Sequence, residues 1–395
     1  MLDATLRERT KGLLKASGRS DVPPFMVMDV MAAAARIEAA GGHVIHMEVG
    51  QPAAAAPKPA ILAAHAALGG GRIDYSSALG IPSLRERISR HYREAYGLVV
   101  DDGRIVITTG SSGAFILSFL ALFEPGDRVA VTVPGYPPYR HILTALGCEP
   151  VLIETSAENR HALTGEALLA AHRKTPLKGV LVGSPANPTG TMMSGEALTS
   201  LISAAEDAGI RFISDEIYHG LDYAFPAVTA AGLSPRALVI NSFSKYFCMT
   251  GWRVGWMVVP EPMVRPIERL QQNLAISVPT LSQIAAEATF EGREEMEAVK
   301  RGYLENRRIL IEGLPRAGLT KFLPVDGAFY LYADVSDFTS DSFKFAGEML
   351  EKARVAATPG VDFDPIGGHR FIRFSYARSA EEMREAVERI ARWLG

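Results

Sequence analysis

The sequence predicts an α/β fold in which a large domain, built on a mostly parallel seven-stranded sheet sandwiched by helices, is joined to a smaller α+β domain. Three observations predict it. From about residue 60 to 290, seven short β-rich apolar runs alternate with helical stretches, the pattern of a parallel sheet covered on both faces. After a long helical region, Leu281–Leu314, that alternation stops and two strand-like runs appear, flanked by helices. The length, 395 residues, exceeds one ordinary core and suits two domains of about 100–250 residues each.

Taken in order, residues 1–22 are polar and read as a mobile or docking arm. Met28–Ala40 is alanine-rich with a helical pattern that Gly41-Gly42 stops, and Val44–Val49 follows as a short strand ending at Gly50-Gln51-Pro52. The strands of the large sheet are expected at Ile105–Thr108, Arg128–Val133, Glu149–Ile153, Gly179–Val182, Arg211–Ser214, Ala237–Ile240 and Gly255–Val259. Helices are expected at Ser83–Tyr96, Gly113–Phe123, Tyr139–Leu146, Gly165–His172 and Ser194–Ala208, with turns such as Glu124-Pro125-Gly126-Asp127 between elements. Phe329–Ala333 and Phe371–Ser375 read as strands of a smaller sheet beside helices at Asp341–Ala353 and Ala380–Leu394. The large domain is therefore expected over residues 51–287, and the smaller one over 1–50 together with 288–395.

Composition narrows the function. A chain that is 48% hydrophobic and 22% charged can bury a core and remain soluble. Its net charge of -3 and scattered basic residues lack the clustered cationic face of a nucleic-acid binder. No apolar h-region follows Arg7, Arg9 and Lys11, which argues against a secretory signal. The main apolar run, Ala114–Phe123, is about half the ~20 residues a bilayer requires and reads as a buried helix, so no membrane partner is expected. Cys148 and Cys248 cannot build a disulfide framework, the histidines show no metal-ligand spacing, and the expected setting is the cytoplasm. The acidic cluster Glu294, Glu295 and Glu297 reads as a solvated helix face.

Ligands of open parallel sheets bind beyond the carboxyl ends of the strands, and several polar groups fall there. Gly110-Ser111-Ser112-Gly113 opens an apolar helix, where free amides and the helix dipole suit a phosphate, although an ordinary serine cap has the same sequence. Asp215 follows Arg211–Ser214, with Tyr218 three residues on. The carboxylate suits a protonated ring nitrogen and the phenol a neighbouring oxygen; the plainer reading is a helix cap and a core tyrosine. Asn187-Pro188-Thr189-Gly190, taken alone, is a turn. Ser242-Phe243-Ser244-Lys245 places a lysine at a strand end rather than in bulk water, and a desolvated lysine near cations deprotonates readily enough for imine chemistry. Arg253, in Gly251-Trp252-Arg253-Val254-Gly255, adds a planar fork suited to phosphate. Together these groups meet the requirements of pyridoxal phosphate.

Read in order, the Asn187, Asp215-Glu216-Ile217-Tyr218, Lys245 and Arg253 motifs resemble those of the class I/II aminotransferases, and the resemblance runs from Gly50-Gln51-Pro52 to Arg373-Phe374-Ser375. The lysine segment with its following arginine is specific to that family; the asparagine turn is not. The resemblance implies the aspartate-aminotransferase fold, fold type I of the pyridoxal-phosphate enzymes. It also implies transfer of an α-amino group from an amino acid to a 2-oxo acid. Lys245 would hold pyridoxal 5′-phosphate as a Schiff base and move a proton between Cα and C4′. Asp215 would pair with the ring nitrogen, while Asn187 and Tyr218 would bond the ring oxygen. Tyr136, in Pro134-Gly135-Tyr136-Pro137, would stack on the ring where many relatives carry tryptophan or phenylalanine. Ser111, Ser112, Ser242 and Arg253 would hold the phosphate. Tyr75, before Leu79-Gly80-Ile81-Pro82, resembles the tyrosine that reaches the phosphate of a neighbouring subunit, which implies a homodimer with shared active sites. Arg373 would bind the substrate carboxylate, assisted by Asn187 and the Gly50 amide.

Two other functions are rivals. A β-elimination C–S lyase would use the same site, since both reactions begin by removing the α-proton. A non-catalytic regulator on the same fold would need a DNA-binding domain, and the first 50 residues or so hold no basic recognition helix. Dicarboxylate-specific relatives use a second arginine, for which Gln271–Ser282 offers no match. Pro24-Phe25-Met26-Val27 reads either as an apolar pocket mouth or as core packing. In the first case a distal carboxylate would be desolvated without a partner, so neutral side chains are expected to be preferred.

Overall fold

The computed structural model describes residues 15–395, so most of the expected N-terminal arm lies outside the described residues. The helix Met26–Ala39 leads into β1 (Ile45–His46). The large sheet then assembles from β2 (Ile105–Thr108), β3 (Arg128–Val133), β4 (Glu149–Glu154), β5 (Gly179–Gly183), β6 (Arg211–Asp215), β7 (Leu238–Ser242) and β8 (Gly255–Val258). Its spatial order is β2-β8-β7-β6-β5-β3-β4. Only β8 runs against its neighbours, β2 and β7; every other pair is parallel. All seven expected runs are strands, and the largest difference is at β7, which runs on to Ser242.

Strand alternation explains why the runs are apolar throughout. Successive side chains point to opposite faces: Val180 and Val182 enter one core, with Val239, Val258 and Trp256, while Leu181 enters the other, with Val131, Ile213 and Ile240. Helices cover both faces, as a parallel sheet requires. Two of them, Lys58–Gly69 and Glu261–Leu274, were not anticipated. The first is mostly alanine and small residues, so its face carries little periodic contrast. The second holds prolines that resemble breakers; Pro262 sits in the first turn, where a missing N–H costs nothing, and Pro266 forfeits one helical bond.

The long helical region is two helices, Thr280–Thr289 and Arg293–Gly313, separated at Phe290–Gly292. Gly292 lies so close to Pro57 that a side chain there would collide with it. Beyond them come β9 (Lys321–Phe322), β10 (Tyr330–Asp334), β11 (Val355–Ala356), β12 (Thr358–Pro359) and β13 (Phe371–Ser375). Four form an antiparallel sheet ordered β12-β13-β10-β9, while β11 pairs with β1. Around this sheet lies a further core, including Phe329, Leu331, Ile372, Phe374 and Ile390, which also takes in Ile217, Tyr218 and Leu221 beyond β6. The last helix, Ala380–Leu394, starts at a capping box in which Ser379 and Glu382 satisfy each other's backbone amides. Both cysteines are buried and unpaired. Among the described residues no helix is long and apolar enough to cross a membrane.

Candidate active site

The carboxyl ends of β5, β6 and β7 lie side by side, with Gly183 opposite Asp215 and Asp215 opposite Ile240. Asp215, the last residue of β6, is 4% exposed. The Tyr139 hydroxyl donates to its Oδ2, and the Ile217 amide donates to Oδ1 at 3.1 Å. Burial pushes this carboxyl up to about 6 even though both donors favour its charged form. One turn on, Tyr218 shares a 2.7 Å hydrogen bond with the Tyr330 hydroxyl, and burial holds its proton well above the usual phenol range.

Beyond β7 the chain turns sharply. Ser242 Oγ donates to Ser244 Oγ at 2.9 Å and accepts the Ser244 amide at 3.1 Å, which shapes the step to Lys245. Lys245 Nζ donates to the Gly50 carbonyl at 2.6 Å and lies 5.7 and 5.9 Å from the Tyr218 and Phe329 ring centroids. Burial lowers its pKa, and the cationic Arg373 and Arg253 lower it further while Asp215 opposes them; the result is about 8. An amine this easily deprotonated is a usable nucleophile and base near neutral pH.

The helix Gly110–Leu122 starts without a side-chain cap: Thr109 occupies the cap position and makes no capping bond. Ser111 and Ser112 lie in the first turn, so the serine-cap alternative does not describe this helix. Its amides remain available to an anion. Arg253 packs against the same turn, so that a Cβ on Gly110 would lie 2.5 Å from its Nη2. A Cβ on Gly255 would lie 3.2 Å from the Ser111 amide and 2.8 Å from the Asn241 carbonyl, which brings the ends of β7 and β8 to that helix start.

Across the cleft, Arg373 on β13 is 2% exposed and stands between β10 and β12, not on an edge. Nη1 donates to Asn187 Oδ1 at 2.9 Å; Nη2 donates to the Glu48 carbonyl and, at 3.2 Å, to Thr358 Oγ1. The guanidinium carbon lies 4.4 Å from the Tyr330 ring centroid and 4.6 Å from that of Phe363. Nε, though buried, has no partner among the described residues. Gly50 passes so close to Tyr330 that any side chain there would meet its hydroxyl. Tyr136 packs edge-on against Tyr139, at 5.2 Å between centroids, and Phe25 packs edge-on against Tyr136, at 6.0 Å. Phe25 therefore borders the site instead of a distant core.

Most of the expected residues thus gather at one cleft, whereas Tyr75 is 80% exposed and has no hydrogen bond to them among the described residues. Tyr139, Tyr330, Ser244, Glu48 and Thr358 touch site residues and were missed. Tyr139 had a local signal, since it follows Tyr136 by nearly one helical turn. Tyr330 had none, because strand alternation does not say which face of β10 meets the cleft. The donor set fits pyridoxal phosphate: an uncapped helix start and a guanidinium for the phosphate, a buried carboxylate for the ring nitrogen, phenols for a ring oxygen, and an amine for the aldehyde.

A family model for aminotransferases of class I and II matches residues 42–390. The chain is 48% identical over 380 residues, 95% of its length, to a Mycobacterium tuberculosis protein named valine–pyruvate aminotransferase, 97% of which is covered. The fold is similar to the crystal structure of an aminotransferase from Mycobacterium tuberculosis, with a TM-score of 0.94 and 47% identity over 96% of this chain and 99% of that one. It is also similar to aspartate aminotransferase from Thermus thermophilus, solved with maleate, with a TM-score of 0.90, 32% identity and the same coverage.

Proposed function

The chain belongs to the class I and II aminotransferase family, and we propose that it works with pyridoxal 5′-phosphate, the cofactor of that family, held on Lys245. As an aminotransferase it moves the α-amino group of an amino acid to a 2-oxo acid. Its relatives are named for that transfer and not for elimination, so the lyase reading is set aside.

The cofactor, once bound, supplies an aldehyde carbon and a ring that withdraws electrons from the substrate Cα. The residues do the rest. Lys245, with its amine at about 8, would hold the aldehyde and would carry the proton to and from Cα. Asp215 keeps a proton on the ring nitrogen, and Tyr139 holds Asp215. Tyr218 and Asn187 would bond the ring oxygen, and Tyr136 would pack on the ring. Ser111, Ser112, Ser242 and Arg253 hold the phosphate. Arg373 takes the α-carboxylate with its planar edge, assisted by Asn187 and the Gly50 amide. The observation that carries the reading is the partly buried Lys245, its amine 2.6 Å from the Gly50 carbonyl and in the field of Asp215 and Arg373.

This site lies between a PLP-binding domain over residues 51–287 and a smaller domain over 1–50 and 288–395; in support, the seven-stranded sheet falls wholly within the first range and the four-stranded sheet wholly within the second. The working unit is a homodimer in which Tyr75 reaches the partner's phosphate. In support, Tyr75 projects into solvent, and Leu62, Leu68 and Ile73, on the chain leading to it, expose apolar surface. The amino donor has a neutral side chain, as the name of the 48% identical relative and the apolar Phe25–Tyr136 wall suggest. The two free, buried cysteines accord with a cytoplasmic setting.

The test is a single turnover of the purified holoenzyme with valine. The absorbance of the bound cofactor should change as one equivalent of 2-oxo acid forms. Lys245→Ala should show neither signal, and normal turnover by that variant overturns the assignment.

A further inference from the structure

Two residues before the segment that meets both Lys245 and Arg373 lies a charged group no step above employs. His46, in β1, has its Nδ1 2.8 Å from Glu48 Oε1 and its Nε2 3.0 Å from Glu38 Oε1. Carboxylates accept at both ring nitrogens, and a neutral imidazole has only one N–H. Both bonds therefore require the doubly protonated ring. Glu48 is 0% exposed, and its Oε2 has no partner among the described residues. A buried carboxylate with one oxygen unsatisfied depends heavily on the cation that holds the other.

The backbone carries this contact to the site. Bonds from Ile45 N to the Arg354 carbonyl, from Met47 N to the Ala356 carbonyl and from Ser375 N to the Met47 carbonyl secure the chain as far as Met47. Residue 48 follows, and its carbonyl accepts both Arg373 Nη2 and Thr358 Oγ1. Two residues on, the Gly50 carbonyl accepts Lys245.

We propose that His46 is a positioning residue for substrate binding: clamped between Glu38 and Glu48, it fixes through Glu48 the carbonyl on which Arg373 rests. This rests on the reading that Arg373 binds the substrate carboxylate. The clamp is pH-sensitive. The charged groups facing His46 are Glu48 on its own segment and Glu38 on the helix Met26–Ala39; its paired strand β11 offers only Val355 and Ala356. The Glu48 hydrogen bond raises the imidazole, against the lowering effect of burial, to about 8. A raised value means that the stabilisation is complete below the ordinary 6.5 and is lost as pH rises through about 8.

The test uses isovalerate, a monocarboxylate with no group titrating in this range, bound to holoenzyme between pH 6 and roughly 9.5. Wild-type affinity should fall about tenfold as pH passes about 8. In His46→Gln the affinity should already be weak at pH 6, and only a step that follows the cofactor absorbance should remain. Glu38→Gln removes only the partly exposed partner and should move the step to lower pH. The absorbance of the bound cofactor, read on the same samples, reports titration at Lys245 and should match across these proteins. A His46→Gln titration that reproduces the wild-type step overturns the inference. Arg373→Lys distinguishes the two readings. If it binds isovalerate as tightly as wild type, the Arg373 assignment fails and the inference with it. If it loses binding while His46→Gln is silent, only the inference fails.

Discussion

Replacing Arg373 by lysine keeps the charge and removes the fork. In the structure Nη1 is committed to Asn187, Nη2 to the Glu48 carbonyl and Thr358, and Nε has no partner among the described residues. The guanidinium also lies against two aromatic rings, at 4.4 and 4.6 Å. One ammonium cannot reach Asn187 and Glu48 while presenting two parallel donors to a carboxylate. At least one charge-assisted bond to substrate is lost, about 1.5–3 kcal/mol. At about 1.4 kcal/mol per factor of ten, kcat/KM should fall roughly ten- to hundredfold. The assay is steady-state kcat/KM for alanine, valine, methionine and phenylalanine with one common 2-oxo acid. Every amino acid carries the same α-carboxylate, so the loss should be nearly uniform. Absorbance of the bound cofactor should persist, because Arg373 is not part of the phosphate cradle. A loss confined to one donor would refute the reasoning and make Arg373 a reader of side chains.

Asp215→Asn should abolish transfer and yet stabilise the cofactor-free protein at pH 7. The carboxyl is raised from 3.8 to about 6, so its charged form is disfavoured in the fold by about two powers of ten, some 3 kcal/mol, a cost that fades as pH falls from about 6 towards 3.8. Chemical denaturation at pH 7 checks the sign; a less stable variant contradicts it. Mixed dimers of Tyr75→Phe and Lys245→Ala chains should contain one site with both defects and one with neither, so activity should return on mixing. Sites in which the defects always stay apart would show that Tyr75 serves its own chain. Aspartate should react with lower kcat/KM than valine, leucine or methionine, because a distal carboxylate would be desolvated beside the Phe25–Tyr136 wall at a cost of several kcal/mol. Preference for aspartate would mean that a cation, including one from a partner chain, reaches the pocket.

The site was legible where its chemistry coincides with the end of a strand. Asp215 closes β6 and Ser242 closes β7, one and two residues beyond Ser214 and Ile240, where the hydrophobic pattern ends. Lys245 and Arg253 could be placed because they lie close to those ends. The start of the helix Gly110–Leu122 was placed a turn late, at Gly113, because glycine and serine carry no apolar period.

Hydrophobic period, turn residues and the order of motifs were enough to determine the seven strands of the large sheet to within two residues, two of the four strands of the smaller sheet and the family resemblance, because each is a property of neighbouring residues. Only the tertiary structure decided what supports the site. Tyr139 meets Asp215 across 76 positions, Tyr330 meets Tyr218 across 112, and Arg373 meets the Glu48 carbonyl across 325. Such contacts depend on strand register, on the face a side chain takes and on how closely two backbones approach. None of these is a local property of sequence, since each is settled only when distant surfaces are buried against one another.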